Sequence, residues 1–210
     1  MKKILIAVII LTAAIFTAFA LKGPLNIETI AIGTKAPLLD YELQVPGDGH
    51  GHAHTIKDLA GQNGIMVIFS CNTCPFVLAW EDRYNELHMM ARDNKIGLVL
   101  VNSNEAKRDK DDSPQEMIKH ARLNNYSMEY LIDKDHKLAD AYGAKTTPHV
   151  FLFNRDFNLV YEGAIDDNYK DNSAVTMPYA INALANLGAG QKIDPQTSPA
   201  KGCSIKRVKP

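Results

Sequence analysis

The chain is poor in cysteine, with three in 210 residues. A disulfide-stapled scaffold uses more cysteines, in even count, so these three read as functional rather than structural. An excess of charge of one sign is also lacking. With 23 Lys and Arg against 24 Asp and Glu, the sequence offers no basic footprint for nucleic acid. No period of tens of residues recurs, which argues against a solenoid. The one long uncharged apolar run, Ile4 to Leu21, lies at the start of the chain. Lys2 and Lys3 precede it, and Ala18-Phe19-Ala20 has the small-x-small form of a cleavage site. Residues 1–20 therefore read as a signal peptide or an uncleaved N-terminal anchor, since the run approaches bilayer-spanning length. Either way the remainder is expected outside the cytoplasm, in the periplasm or on the outer face of the membrane, where disulfides persist. Membrane contact is expected only through this segment if it stays uncut. No cysteine stands near the junction, which excludes a lipidated N-terminal cysteine.

Residues 21–33 read as a linker, 34–193 as one α/β domain, and 194–210 as a tail carrying Cys203. Ile65-Met66-Val67-Ile68-Phe69 is a continuous apolar run, the mark of a strand buried on both faces. A helix is expected from Pro75 to about Asp93, where Val77, Leu78, Tyr84, Leu87 and Met90-Ala91 recur near a 3.6-residue period. Ile96 to Val101 reads as a second buried strand. Ser113-Pro114-Gln115-Glu116 is a helix start, with a serine cap, proline in the first position and acid in the first turn. A short strand at Tyr130–Ile132, a short helix from Lys137 to Tyr142 and a hairpin of Val150–Phe153 with Leu159–Glu162 follow. A last helix is expected from about Ser173 to Leu187. This order predicts a three-layer sandwich, a central mixed sheet with helices on both faces.

The chemistry is expected in Cys71-Asn72-Thr73-Cys74, placed where the buried strand gives way to a helix. A thiol at a helix N-terminus meets unpaired N–H groups and the positive end of the dipole, which favour thiolate. The spacing predicts Cys71 at that tip and Cys74 one turn on, beneath it and more buried. A structural zinc site is the competing reading, but it needs four ligands and the only other cysteine is the distant Cys203. Thr146-Thr147-Pro148 precedes the apolar Val150–Phe153. A cis Thr147–Pro148 bond would break the strand start and expose the Thr147 backbone, so that a substrate peptide pairs there beside Cys71.

Ser-Cys-Asn-Thr-Cys-Pro-Phe after the strand, Ala141-Tyr142-Gly143-Ala144 leading into Thr147-Pro148, and Tyr161 to Asn168 resemble the thioredoxin-like redoxins. These are often grouped with the alkyl hydroperoxide reductase/thiol-specific antioxidant superfamily. The likeness runs from about Gly33 to Ile205 and includes the tail Gly202-Cys203-Ser204-Ile205-Lys206. It implies a thioredoxin-like fold, Cys71 as nucleophile, Cys74 as resolving thiol and Pro148 as the cis-proline. Two departures stand out. Ser70 and Asn72-Thr73 replace the Trp and Gly-Pro of the best-known thioredoxins, and Ile65–Phe69 lacks their buried acid. Glu81 and Asp82 are candidates to take the Cys74 proton, although a solvated helix face explains both.

The expected activity is thiol–disulfide exchange through a Cys71/Cys74 mixed disulfide, with no cofactor beyond the redox-active disulfide. The expected partners are protein thiols or disulfides and an upstream redox partner, with no nucleic acid, and the chain is expected to be a monomer. Thr147 is expected at the substrate rim, joined by Phe76 and Trp80 as candidates whose default role is packing and whose minor one is a rim for an apolar partner surface. No metal is expected, though His50, His52 and His54 alternate in a loop that could hold one. The run from Lys107 to Asp112 reads as a solvated loop, and Cys203 as a structural or accessory thiol. A thiol peroxidase and a non-catalytic metal or protein binder are the rivals. Neither Cys71 nor Cys74 sits in a Pro-x-x-x-Thr/Ser-x-x-Cys setting, and disulfide exchange assayed beside peroxide consumption separates all three.

Overall fold

The computed structural model describes residues 27–47 and 51–208. The expected leader and His50 lie outside the described residues. Strands β1 (Leu43–Gln44) and β2 (Ala53–His54) form a short arm. Then come β3 (Gly64–Ser70), α1 (Pro75–Trp80), α2 (Tyr84–Asp93), β4 (Ile96–Asn102), α3 (Pro114–Leu123) and β5 (Glu129–Ile132). The chain closes with α4 (Lys137–Tyr142), β6 (Thr146–Thr147), β7 (His149–Asn154), β8 (Leu159–Gly163), α5 (Tyr179–Gly188) and β9 (Cys203–Ser204).

Seven strands make one sheet in the order β2-β1-β5-β4-β3-β7-β8. Strands β3, β4 and β5 run parallel, while β7, β8, β1 and β2 join antiparallel. The central strands are apolar throughout because alternate residues serve opposite faces. On one face Met66, Ile68, Leu100 and Leu152 pack with Leu87 and Ala91 of α2, Met117 of α3 and Leu184 of α5. On the other, Val67, Phe69, Val101 and Phe151 pack with Leu138 and Tyr142 of α4 and with Leu43 and Ile56. Each large side chain fully buried in this way contributes about 1.5–3 kcal/mol. The expected sandwich is the observed architecture.

Two helices depart from expectation. The helix read as continuous to Asp93 is cut by a 3₁₀ turn at Glu81–Arg83. The tighter turn brings Arg83 inward beside Trp80, and both donate to Asp166, at 2.5 Å and 2.8 Å. Leu78, counted on the apolar face, is exposed. The last helix starts at Tyr179 rather than near Ser173, because Pro178 lies before it and cannot sit in a helix interior. Asp133 secures α4, accepting from the Leu138 and Ala139 N–H groups at 2.9 and 3.0 Å. Gly143 closes that helix at φ 66°, a left-handed conformation that a glycine adopts without a Cβ penalty.

A second, two-stranded sheet pairs β6 with β9, Thr146 opposite Ser204 and Thr147 opposite Cys203. The segment expected as an appended tail therefore returns to the loop that opens β7. Ile205 enters the core beside α4.

Candidate active site

Strand β3 delivers Ser70 to the sheet's edge, paired with Asn102 of the parallel neighbour, and the next residue is Cys71. The helix does not begin there. Pro75 occupies the first turn of α1, and the ring of a proline drives the preceding residue out of the helical region. Cys74 accordingly takes an extended conformation (φ −72°, ψ 124°) as the N-cap. The expected placement of Cys71 at the helix tip is corrected: Cys74 holds it, and Cys71 lies in the loop before it. Both cysteines are buried residues, Cys71 2% and Cys74 3% exposed, so Cys74 is not the more buried of the two.

That loop is held from below. The Asn72 backbone N–H donates to Asp112 Oδ1 at 2.9 Å, and its side-chain amide donates to the Asp111 carbonyl at 2.8 Å. The Tyr130 hydroxyl donates to Asn72 Oδ1 at 2.9 Å. Asp112 also accepts from Asn102 at 2.8 Å and from Asn104 at 2.9 Å. Asp112 is fully buried, so the reading of Lys107–Asp112 as a solvated loop fails at its last residue. A buried carboxylate needs partners, and three asparagines, Asn72, Asn102 and Asn104, supply them.

Thr147 completes the site. The Thr147–Pro148 peptide is cis. The Thr147 hydroxyl lies 3.1 Å from Cys71 Sγ, and its carbonyl oxygen 3.1 Å from Cys74 Sγ. One residue thus touches both sulfurs. Behind Pro148, His149 is buried; its Nδ1 accepts from the Lys145 N–H at 3.3 Å, and Nε2 meets Glu162 at 2.9 Å. A pocket of about 160 Å³ opens beside the sulfurs, bordered also by Cys203, Lys107 and Lys206.

The two thiols behave as a coupled pair. The Cys74 thiol is held down to about 4, chiefly by a hydrogen bond from the Cys71 thiol. The Cys203 thiol and the backbone N–H groups of Val77 and Cys203 add to this, against the cost of burial. Cys71 is pushed up, because its thiol donates a hydrogen bond to Cys74 and burial disfavours a second charge, with Asp112 adding to the effect and the Thr147 hydroxyl opposing it. Cys203 rises to about 11, through burial first and then its bond to Cys74. The two sulfurs titrate as one unit that holds a single proton and a single negative charge between them.

The other expected site residues are placed as follows. Phe76 is half-buried beside the sulfurs, its ring tilted against that of Tyr169 with centroids 4.9 Å apart. Trp80 is corrected: it is 1% exposed and bonded to Asp166, so it is core and offers no surface to a substrate. Glu81 is not a solvated acid; it accepts from Tyr126 at 2.7 Å and meets His120 at 2.6 Å. Asp82 is exposed. His54 stands opposite Leu43 in the β1–β2 arm. Among the described residues no group of three His, Cys, Asp or Glu side chains is arranged to hold a metal ion. Sequence reasoning missed Asp112, and it held the placing of Cys203 beside the pair only as an alternative to an accessory role. The Gly202-to-Lys206 motif was the one signal for the second.

A parallel-centred sheet with a Cys-x-x-Cys loop at its edge, facing a cis-proline turn, defines a thioredoxin-like redox fold. The AhpC/TSA family model matches residues 32–162, and the chain belongs to that family. It is similar to an uncharacterized conserved protein from Geobacillus kaustophilus, at 29% identity and a TM-score of 0.76, over 87% of this chain and 95% of that one. A hypothetical protein from Sinorhizobium meliloti 1021 matches at 27% identity and a TM-score of 0.78, over 87% and 98%. The fold is shared more distantly with the thioredoxin domain of a thiol-disulfide oxidoreductase from Bacteroides vulgatus, at 16% identity and a TM-score of 0.52, over 65% and 90%. Peroxiredoxins share it at a similar distance. No curated protein sequence matches. Family and fold together make the chain a redox protein of the thioredoxin-like class.

Proposed function

We propose that the protein is a thiol–disulfide oxidoreductase acting on other proteins through the Cys71/Cys74 pair. The observation that carries this reading is the contact of both sulfurs with Thr147, each at 3.1 Å, at a backbone position where the extended segment of β9 pairs. The place of Cys74 at the N-cap of α1, with Cys203 packed beside it, supports Cys74 as the attacking sulfur and Cys71 as the resolving one. This reverses the roles that the family resemblance implies. Cys74 thiolate attacks one sulfur of a protein disulfide, and the other sulfur leaves as thiolate. Cys71 then attacks the Cys74 sulfur, forming the Cys71–Cys74 disulfide and releasing the second substrate thiol. An upstream dithiol returns the two electrons. Run in reverse, the same steps form a disulfide in the substrate.

Peroxide chemistry needs an arginine and a hydroxyl around one cysteine. The Thr147 hydroxyl is present, but Arg83 is bound to Asp166, Arg108 to the carbonyls of Asn102 and Asp112, and Arg207 to Asp140. The leader-like residues 1–20 support work outside the cytoplasm, which N-terminal sequencing of the mature protein checks. The central test is reduction of insulin, run beside peroxide consumption. Cys74→Ser is expected to abolish exchange, and Cys71→Ser/Cys203→Ser to trap a covalent complex through Cys74. Full exchange by Cys74→Ser would overturn the reading.

A further inference from the structure

The peptide edge at Thr147 is already occupied by the chain itself. Strand β9 pairs antiparallel with β6, Cys203 opposite Thr147, and the Ile205 N–H continues the ladder to the Lys145 carbonyl at 3.1 Å. Gly202 lies so close that a Cβ there would stand 2.3 Å from the Thr147 carbonyl oxygen. Downstream the strand is anchored by buried Ile205 and by bonds joining the Lys206 backbone to Asn104 and Ala106, at 2.8 and 2.9 Å. This pairing sets Cys203 into the small cluster formed by Cys71, Cys74 and Val77.

We propose that β9 is a built-in stand-in for substrate, and that Cys203 is a third exchange thiol that forms a disulfide with Cys74. The inference rests on the exchange reading above. Its step conserves disulfides: with Cys71 and Cys74 joined, the Cys203 sulfur gives up its proton and attacks Cys74 Sγ. The Cys74–Cys203 bond forms as the Cys71–Cys74 bond breaks, and Cys71 leaves as thiolate and takes up a proton. No outside oxidant is consumed. The Cys74–Cys203 form fastens the tail across the peptide edge, so an incoming polypeptide must displace β9 while a small disulfide need not pair there at all.

The experiment uses full-length Cys71→Ser protein and oxidised glutathione, followed by acid quench and a non-reducing peptide map. Cys74 thiolate attacks one glutathione sulfur and expels one glutathione. Cys203 then attacks Cys74 and expels the second, leaving an intramolecular Cys74–Cys203 disulfide and two reduced glutathione molecules. That crosslink in monomeric protein is the expected result. A lasting glutathione adduct on Cys74 with Cys203 free, or Cys203 joined only between chains, overturns the proposal and leaves the exchange reading standing. Failure of Cys74 to react with glutathione at all overturns both. In a chain with its three cysteines intact, Gly202→Ala, which pushes β9 off Thr147, is expected to raise insulin reduction relative to glutathione-disulfide reduction several-fold. An unchanged ratio shows that β9 does not obstruct the edge and overturns the stand-in role.

Discussion

The loop from Cys71 to Thr73 is fastened by side chains buried beneath it, whereas the strand that carries Cys203 is fastened by its backbone and by anchors downstream. In the first region Asn72, Asn102, Asn104 and Tyr130 converge on or beside one fully buried carboxylate, Asp112. In the second, two residues of strand pair with two residues of turn. A satisfied buried polar network fixes a single geometry, because each unpaired member is costly. A two-residue ladder at the surface exchanges its hydrogen bonds for those of water or of another strand at small cost. The sulfurs that must stay aligned are locked, and the one that must come and go is lightly held.

The strongest way to break this contrast is Asp112→Ala. It orphans the Asn72 N–H and the Asn102 and Asn104 amides in the interior, and at about 1–3 kcal/mol for each unsatisfied group the loss is expected to exceed about 3 kcal/mol. Urea unfolding of the reduced protein measures it, and Asp112→Asn should recover part. Ile205→Ala removes the tail's apolar anchor, and a loss of about 2 kcal/mol is expected, at the low end for such changes because a chain end relaxes. Amide exchange should rise in 202–206 and not in 71–74.

The charge on the pair gives a pH-dependent comparison. Cys74's folded value, about 4, lies below the ordinary 9.0. Its contribution to stability is therefore fully present above the ordinary thiol range and is lost as pH falls through about 4. Cys71, pushed up, acts oppositely: stability is lost above the ordinary range, where the unfolded chain releases a proton that the native pair keeps. The reduced protein is expected to gain stability between about pH 4 and 9 and lose it above, relative to the oxidised protein, whose joined sulfurs do not titrate. Parallel urea midpoints over that range check the sign. The smallest effect is expected from Arg207→Ala, which removes the 2.7 Å pair with the part-exposed Asp140 and should cost about 1 kcal/mol or less.

The sheet was legible because its central strands are continuous apolar runs buried on both faces, and the Cys-x-x-Cys and Thr-Pro motifs could be set at strand ends. Their meeting at one residue followed from the fold class. Asp112 was illegible for a physical reason. In a line of Lys, Arg and Asp, burial depends on where the chain after β4 crosses the sheet's edge, and local composition carries no trace of that. Trp80 misled because it follows the motif closely, yet it ends α1 on the buried face, bonded to Asp166. The helix tip was assigned to Cys71, too early in the chain, because Pro75 in the first turn makes Cys74 the N-cap. Cys203 stood out as part of a motif, but a strand pairing across so much intervening chain has no local signature.

The bonds of Asn72 bear on how this loop should be re-engineered. Dipeptides between paired cysteines are commonly swapped to shift an oxidoreductase toward donor or acceptor behaviour, on the view that they alter only the electrostatics. Here the two positions are unlike. Thr73 is exposed and open to substitution, while Asn72 is bonded to Asp112, Asp111 and Tyr130. A transplanted pair of residues would lift the scaffold out with the tuning element, and any change in potential would then report collapse of the loop rather than chemistry at sulfur.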